Sequence, residues 1–408
     1  MSFLKLEILV ALTVLFINLK GIGGSQPTVI KSFPLQDSVA PLLDQEVKNR
    51  NLPAVVAIAV NKDGQTVRYA YGKAVWNEDG NVTEDHIFRI YSMTKLITSI
   101  AVLQLAENGL IGLDDDLSSL MPEMVAIPIL SDGELRMGEN PVTLRTLLTH
   151  TSGFGYVTTD KQLDEFDASK WNFRDLPRRF ESGTQFLYGT SLNWVGRIVE
   201  KIAGTDLETY CRMHITGPLG MNRTWFNVPD SLKSFIVSRG QWGKEGPEEL
   251  PDRIPENVVT DFNGGGGLFS SPADFTKLLY CLLNGGSLGE TVLLQKETVA
   301  QMIQNQIGDI VIDIEHAGFK AHCCDFRGLL SKTTKWGFGW AIDYEDKPYG
   351  RKAGTVFWGG SMNTYFYIDF KTGIAASIYT QYYPFNHPAT INLFEKFSEI
   401  IYSAYKKQ

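Results

Sequence analysis

A serine and a lysine stand three residues apart in Ser92-Met93-Thr94-Lys95, at the start of an apolar stretch that ends near Asn108. Residues three apart share a helical face, so this spacing brings a hydroxyl and an amine together. Burial lowers the pKa of a lysine toward that of a usable base, and a helix N-terminus favours negative charge near Ser92. The pattern predicts a serine nucleophile whose proton passes to Lys95. A capping serine followed by a surface lysine gives the same pattern, so the context decides.

Further segments follow in one order along the chain. They are TLRTLLTHTSGFGY, FESGTQFLYGTSLNWVGRIVEKIAG, PLGMNRTWF, GGGGLFSSPADF and a strand that carries Trp-Gly-Gly. Together they resemble the serine β-lactamase and penicillin-binding-protein family over roughly residues 35 to 405. The Tyr-x-x-Ser and Trp-Gly-Gly variants are closest to the esterases and acyltransferases that share the class C β-lactamase fold. The resemblance implies a β-lactamase/transpeptidase-like α/β (α+β) fold, with an antiparallel sheet flanked by helices and an inserted, mainly helical lobe.

The resemblance also implies a role for each member of a proton-transfer set. Ser92 is the acylated nucleophile, Lys95 is its base, and Tyr188 is a second proton carrier. Tyr188 protonates the leaving group and later activates water or an acceptor alcohol; the alternative for this tyrosine is a core aromatic. Many relatives carry asparagine two residues after the tyrosine, where its amide binds a substrate carbonyl. Thr190 stands there in this chain, so we expect substrate positioning at Thr190 to differ.

The third family element is a strand with Lys-Thr-Gly or a variant, and two segments compete for it. Lys371-Thr372-Gly373 matches literally, but it lies between two predicted strands and so indicates a tight turn. Trp358, Gly359 and Gly360 lie on the preceding strand, in the family's register. Glycines there let a substrate approach the backbone. We therefore assign the substrate-binding strand to Trp358-Gly359-Gly360.

By the same resemblance, the backbone N–H groups of Ser92 and Ser361 form an oxyanion hole, where losing one donor typically costs roughly 3 to 4 kcal/mol. Trp358 replaces a cation that would bind the carboxylate of penicillins, and it supplies an apolar wall. We expect a carboxylesterase or acyltransferase that acts on neutral esters or thioesters without a metal or other cofactor. Two alternatives stay open: a β-lactamase or D-amino-acid peptidase, and a catalytically inactive scaffold with the same fold.

Other hydrolytic chemistries fit the sequence less well. His150, the candidate for a Ser-His-Asp arrangement, lies in a turn-rich segment that resembles a structural element of the family. Several residues late in the chain could be imagined as zinc ligands: His316, His322, Cys323, Cys324 and Asp325. Their spacing matches no zinc pattern, which favours a loop or a disulfide.

Hydrophobic periodicity predicts the elements that position these residues. A helix is expected over Asp37 to Asn49, followed by a hairpin that turns at Lys62-Asp63-Gly64, and Ser271 with Pro272 begins another helix. Consecutive antiparallel strands are predicted in GFGWAIDY, GTVFWGG, NTYFYIDF and GIAASIYTQ, before a final helix INLFEKFSEIIYSAYKK. We expect an α/β part over about residues 28–91 and 265–408 and a helical lobe over about 92–264.

Composition limits the expected binding partners of the protein and its expected cellular compartment. The 408 residues carry a net charge of -8 and no long run of Lys or Arg, so nucleic acid is not an expected partner. An apolar stretch in residues 1–25 predicts a signal peptide or an N-terminal anchor, hence a secreted or extracytoplasmic protein. Sequons at Asn81 and Asn222 could carry glycans. The four cysteines, Cys211, Cys281, Cys323 and Cys324, permit up to two disulfides or free thiols. The sequence leaves the oligomeric state open.

Overall fold

Helices and strands alternate along residues 36–312, 323, 326 and 329–405, which the computed structural model describes. The α-helices are α1 (Gln36–Asn49), α2 (Thr94–Glu107), α3 (Pro122–Val125), α4 (Leu144–Leu148), α5 (Lys161–Asp164), α6 (Ser191–Ala203), α7 (Leu207–Cys211), α8 (Pro272–Leu283), α9 (Lys296–Met302) and α10 (Pro388–Tyr405). The strands are β1 (Ala54–Asn61), β2 (Thr66–Gly72), β3 (Phe88–Arg89), β4 (Ile129–Ser131), β5 (Glu134–Arg136), β6 (Gly240–Trp242), β7 (Pro247–Glu249), β8 (Phe269–Ser270), β9 (Ser287–Leu288), β10 (Thr291–Val292), β11 (Lys335–Trp336), β12 (Ala341–Ile342), β13 (Val356–Gly360), β14 (Thr364–Asp369), β15 (Ile374–Tyr379) and β16 (Tyr382–Tyr383).

A seven-stranded antiparallel sheet, in the order β11-β12-β13-β14-β15-β1-β2, forms the centre of the fold. The hairpin β1–β2 joins the C-terminal strands through β15, where Val56 lies opposite Tyr379. Every residue of β1 and β15 is buried. Side chains alternate between the two faces of a strand, so both faces must be covered. Helices α8 and α10 both pack on β1 and β15, and α1 packs on β2. The predicted sheet, built from both ends of the chain with terminal helices against it, is confirmed.

Two tight turns set the register of the sheet. Between β1 and β2, the side chain of Asn61 accepts hydrogen bonds from the backbone N–H groups of Asp63 (3.1 Å) and Gln65 (2.9 Å). Between β14 and β15, Asp369 Oδ1 accepts from the N–H groups of Lys371 and Thr372 at 3.1 and 3.0 Å. The Lys371-Thr372-Gly373 segment is therefore a hairpin turn, as the sequence predicts.

Helix α2 is the most enclosed helix that carries candidate site residues. Eleven of its fourteen residues are buried, from Thr94 to Leu105. It packs against α6 and α7, and the hydroxyl of Thr98 donates to the carbonyl of Gly264 at 2.7 Å. A polar group on this helix, such as the amine of Lys95, is buried away from water. Its burial costs free energy unless nearby oxygens form hydrogen bonds with it.

The structure departs from the sequence-based expectation in two places. In GFGWAIDY only Ala341–Ile342 forms a strand, because Gly339 adopts a left-handed φ of 93° that interrupts extended structure. The strand prediction for residues 337–340 is therefore wrong, and it is also wrong for Asp343 and Tyr344, which lie outside any strand. Residues 92–264 also contain two short hairpins, β4–β5 and β6–β7, beside their helices.

Cys211 and Cys281 are buried thiols outside any disulfide, and burial raises the pKa of Cys281 to about 12. Cys324 and the predicted leader of residues 1–25 lie outside the described residues. Within the part of the chain that the structure describes, no helix combines the length and apolar composition needed to cross a membrane.

Candidate active site

The turn that carries Ser92 is a single 3₁₀ turn, Tyr91–Met93, directly before α2. Tyr91 has a φ of 42°, which a non-glycine residue rarely adopts. Neighbouring backbone holds this conformation: the N–H of Ile90 donates to the carbonyl of Leu268 at 3.1 Å, and the N–H of Leu268 donates to the hydroxyl of Thr94 at 3.1 Å. Strained backbone fixed by its surroundings is a common property of catalytic turns.

Lys95 lies one turn further along the chain and is almost entirely buried, with 1% of its surface exposed. Its Nζ lies 3.1 Å from the hydroxyl oxygen of Ser92, so the predicted contact across one helical turn is present. It also donates to the carbonyl of Gly265 at 2.7 Å. Burial lowers the pKa of Lys95 from its usual value to about 7. Near neutral pH the amine can therefore accept a proton.

Tyr188, which lies in the segment before α6, also packs against the amine of Lys95. Its ring centre lies 4.9 Å from Lys95 Nζ, and its oxygen accepts a 2.9 Å hydrogen bond from the indole Nε1 of Trp358. Burial raises the pKa of Tyr188, while hydrogen bonds with Ser92 and Trp358 act in the opposite direction. The hydroxyl, the amine and the phenol predicted from the sequence thus converge on one site.

Strand β13 borders the Ser92 turn through its two glycines. A Cβ on Gly360 would lie 2.2 Å from the carbonyl oxygen of Ile90, and one on Gly359 would lie 2.5 Å from the ring of Tyr365. Both positions exclude any side chain. The close approach at Gly360 brings the end of β13, where Ser361 begins the turn to β14, beside Ser92.

Thr190, the residue directly before α6, forms a side-chain hydrogen bond with a carboxylate. Its hydroxyl donates to Asp175 Oδ2 at 2.5 Å, and the indole Nε1 of Trp194 donates to the same oxygen at 3.1 Å. Burial raises the pKa of Asp175, and these hydrogen bonds oppose the shift. The structure therefore places the Thr190 side chain against Asp175.

Two groups at the site were not assigned from the sequence. The phenol of Tyr156 lies 3.1 Å from Lys95 Nζ, and the carbonyl of Gly265 accepts from the same nitrogen. Tyr156 ends the segment TLRTLLTHTSGFGY and Gly265 lies in GGGGLF, so both belong to segments that carry the family resemblance. A Cβ on Gly265 would lie 2.2 Å from the side-chain oxygen of Asn193, so Asn193 would have to move to admit a side chain at this position.

His150 packs behind the site instead of taking part in it. It is buried, and its ring centre lies 4.6 Å from that of Tyr188 and 5.3 Å from that of Trp336. Its Nδ1 accepts from the N–H of Gly189 at 3.3 Å. Burial and the nearby Lys95 lower the pKa of His150 well below its usual value, so it is neutral. These contacts fit the expected structural role.

A Gly-x-Ser-x-Gly pattern, a possible second nucleophile motif, occurs at Gly285–Gly289. It lies after α8 and contains β9, which pairs with β10 in a two-stranded hairpin. A nucleophilic serine of the α/β-hydrolase type needs a strand-to-helix turn, so this position does not provide one. Among the candidate zinc ligands only Cys323 is described, and the described residues contain no group of His, Cys, Asp and Glu able to hold a metal.

A cavity of about 340 Å³ opens beside Tyr188 and Trp358. Its apolar wall consists of Phe180, Phe186, Leu187, Ile312, Phe326 and Leu330. Its polar end includes Arg179, which binds both carboxylate oxygens of Asp160 at 2.9 Å, and Lys161, which lies 3.4 Å from Glu165. Both cations at this end already have a carboxylate partner.

The β-lactamase family model matches residues 39–396, nearly the whole described chain. The chain belongs to the β-lactamase family. It is 29% identical to the monacolin J acid methylbutanoyltransferase of Aspergillus terreus, over 88% of this chain and 94% of that protein. It is 30% identical to the lovastatin esterase of Penicillium rubens, over 71% of this chain and 78% of that one.

A solved structure of a related enzyme has the same fold as this β-lactamase-family chain. The unliganded simvastatin synthase of Aspergillus terreus superimposes with a TM-score of 0.80 and 26% identity, covering 91% of this chain and 99% of that one. The β-lactamase/transpeptidase-like fold expected from the sequence is confirmed. The chain is an enzyme, of the esterase and acyltransferase type of this family.

Proposed function

We propose that the enzyme forms an acyl-enzyme at Ser92 and transfers the acyl group of a neutral ester or thioester to water or to an alcohol. The observation that carries this proposal is the convergence of Ser92, Lys95 and Tyr188, with the lysine amine 3.1 Å from the serine oxygen. The pKa of Lys95, lowered to about 7 by burial, allows the amine to act as a base near neutral pH.

In the acylation half-reaction, the neutral amine of Lys95 takes the proton of Ser92 while Oγ attacks the acyl carbon. The resulting oxyanion accepts hydrogen bonds from the backbone N–H groups of Ser92 and Ser361. As the intermediate collapses, Tyr188 gives its phenol proton to the departing oxygen or sulfur. The proton on Lys95 then replaces it, so amine and phenol are neutral again and the acyl group remains on Ser92.

In the second half-reaction, water or an alcohol enters where the first product left. Tyr188 lies beside the 340 Å³ cavity. Its phenol proton passes to the neutral amine of Lys95, and the resulting phenolate removes the proton of the incoming hydroxyl. The N–H of Trp358 stabilises negative charge on the Tyr188 oxygen. Attack on the acyl carbon frees Ser92, whose oxygen recovers its proton from Lys95.

The cavity supports a neutral substrate. Its volume lies within the range of about 300 to 1,000 Å³ that is typical for small-molecule sites, and apolar side chains form one wall. Arg179 is largely buried and already paired with both carboxylate oxygens of Asp160, so it is not available to a substrate carboxylate at no cost. The relatives named as a methylbutanoyltransferase and a lovastatin esterase are enzymes of acyl transfer and ester hydrolysis.

Replacement of the nucleophile tests the proposal. Ser92→Ala should abolish p-nitrophenyl ester turnover and labelling by a fluorophosphonate probe. Ser99→Ala is the matched control, because Ser99 is buried on the same helix and its hydroxyl has no hydrogen-bond partner among the described residues. Normal ester turnover by folded Ser92→Ala would refute the assignment. Absence of both labelling and turnover in the wild-type enzyme would favour a scaffold protein.

Acceptor and acyl preference can be resolved with the same enzyme. Turnover of a series of p-nitrophenyl esters, with and without added alcohols, separates hydrolysis from transfer because transfer yields a new ester. Nitrocefin should be turned over weakly or not at all. Nitrocefin turnover that matches ester turnover would contradict the role given to Trp358.

Export from the cytoplasm is a separate proposal, based on the apolar stretch in residues 1–25. We propose that residues 1–25 direct the enzyme out of the cytoplasm, either as a cleaved signal or as an anchor. Asn81 and Asn222 are exposed in the fold, so both sequons are accessible to glycosylation. Expression of the full chain with a C-terminal tag in a secreting eukaryotic cell, followed by N-terminal sequencing and glycosidase treatment, tests this. Retention of the whole chain in the cytosol would overturn it.

A further inference from the structure

The nitrogen of Lys95 has one more oxygen neighbour than a neutral amine has N–H groups. The carbonyl of Gly265 lies at 2.7 Å, and the hydroxyls of Tyr156 and Ser92 each lie at 3.1 Å. A neutral amine has two N–H groups and one lone pair, whereas a carbonyl can only accept. Gly265 therefore takes one N–H, and only one of the two hydroxyls can take the other.

The choice between these hydroxyls decides whether the amine can act as a base. If Tyr156 donates its proton to the lone pair, Ser92 receives an N–H and its own proton has no base. If Tyr156 instead accepts the N–H, the lone pair faces Ser92 and can remove its proton. Only the second arrangement leads to the acylation step of the proposed function, on which this inference rests.

We propose that Tyr156 is a positioning residue for Lys95: its phenol oxygen and the Gly265 carbonyl hold the two N–H groups, which turns the lone pair toward Ser92. Tyr156 is half-buried as a residue, and its own O–H can donate to an oxygen of the bound ester.

A phenol suits this position better than an acid. Burial and the negative potentials of Tyr188 and Asp175 raise the pKa of Tyr156 well above its usual value, so it stays neutral. A carboxylate there would form an ion pair with Lys95 and keep the amine protonated. Among the described residues, the other ionisable groups beside the amine are His150, which is neutral, and Tyr188, whose oxygen is engaged with Trp358 and Ser92.

Removal of the phenol oxygen gives a result that a purely structural role would not. In Tyr156→Phe the acylation rate, measured as the burst of p-nitrophenol in stopped flow, should fall about 10- to 100-fold, which reaches the lower end of the contribution typical of a general base. The ammonium form of Lys95 also loses an acceptor, so its pKa falls. The acid limb of the acylation rate should therefore move to lower pH, while KM changes little.

Two further variants keep this test decisive. Tyr69→Phe removes a buried phenol that bonds Asp44 at 3.0 Å between α1 and β2, and it should leave burst and pH profile unchanged. Tyr156→Gln keeps a neutral acceptor oxygen, so its acylation rate should lie between those of Tyr156→Phe and the wild-type enzyme. This variant also provides the test if Tyr156→Phe folds poorly. A Tyr156→Phe enzyme with an unmoved acid limb, whether its burst is slow or normal, would overturn the proposal. Loss of activity in Ser92→Ala together with that result would leave the proposed function intact and reject only the role of Tyr156.

Discussion

Trp358 donates its indole N–H to the phenol oxygen of Tyr188 over 2.9 Å. The same two rings lie 4.7 Å apart between centres, and Trp336 packs edge-on against Trp358 at 4.6 Å. The sequence predicted an apolar wall where many relatives carry lysine, and the structure adds a hydrogen-bond donor. A neutral N–H that contacts the proton carrier can stabilise a phenolate without offering a cation to a substrate carboxylate.

Trp358→Phe should lower kcat for neutral esters about tenfold to a hundredfold. A hydrogen bond to a charged group contributes roughly 1.5 to 3 kcal/mol, and Tyr188 is negative only during proton transfer, so the loss falls on kcat more than on KM. Steady-state kinetics with p-nitrophenyl esters measure the effect. Trp336→Phe is the control, because the indole nitrogen of Trp336 has no partner among the described residues. An equal loss of kcat in both variants would indicate packing, not the hydrogen bond.

The ester kcat/KM should fall as pH drops below about 7. The pKa of Lys95 is lowered to about 7 by burial, so the amine is neutral and active above that value. Below it the amine is protonated, and kcat/KM should decrease about tenfold per pH unit. His150 cannot produce this limb, because its pKa lies well below its usual value. A profile measured from pH 5 to 9 that stays level to pH 5 would exclude Lys95 as the base.

Gly360→Ala should abolish most activity, by roughly a hundredfold, without unfolding the enzyme. The new Cβ would meet the carbonyl oxygen of Ile90 at 2.2 Å, so β13 or the Ser92 turn must shift. Displacements of about 1 Å at reacting groups typically cost this much. Gly204→Ala, at the C-cap of α6 with no neighbour within 4 Å, should cost roughly 1 kcal/mol of stability but leave kcat/KM unchanged. Kinetics and thermal unfolding distinguish the two variants.

The sequence predicted the residues whose relationship is local or strongly patterned. Ser92 and Lys95 are three residues apart on one helix, so spacing alone indicated their contact. The Lys371-Thr372-Gly373 turn followed from two flanking strands. Tyr188 and Trp358 were assigned by resemblance, since 170 residues separate them and no periodicity links such positions.

The contacts that complete the site could not be predicted because tertiary packing creates them. Tyr156 meets Lys95 across 61 residues and Gly265 meets it across 170. Every residue has a backbone carbonyl, so residue type alone cannot show that the carbonyl of Gly265 binds Lys95. The run of glycines around Gly265 indicated only that the backbone packs closely in this segment. The strand expected at residues 337–340 failed because apolar and aromatic content matched a strand while Gly339 required a left-handed backbone.

Thr190→Ala should lower stability and leave substrate binding unchanged. The hydroxyl of Thr190 bonds the half-buried Asp175 at 2.5 Å, and loss of one such bond typically costs about 1 to 2 kcal/mol. Denaturant unfolding at pH 7 should show this loss, whereas Thr190→Ser, which keeps the hydroxyl, should show little. We expect KM for p-nitrophenyl esters to stay within about twofold in both variants, because the side chain is committed to Asp175. A KM raised tenfold in Thr190→Ala at unchanged stability would instead place Thr190 in contact with the substrate, in the role that the family's asparagine fills.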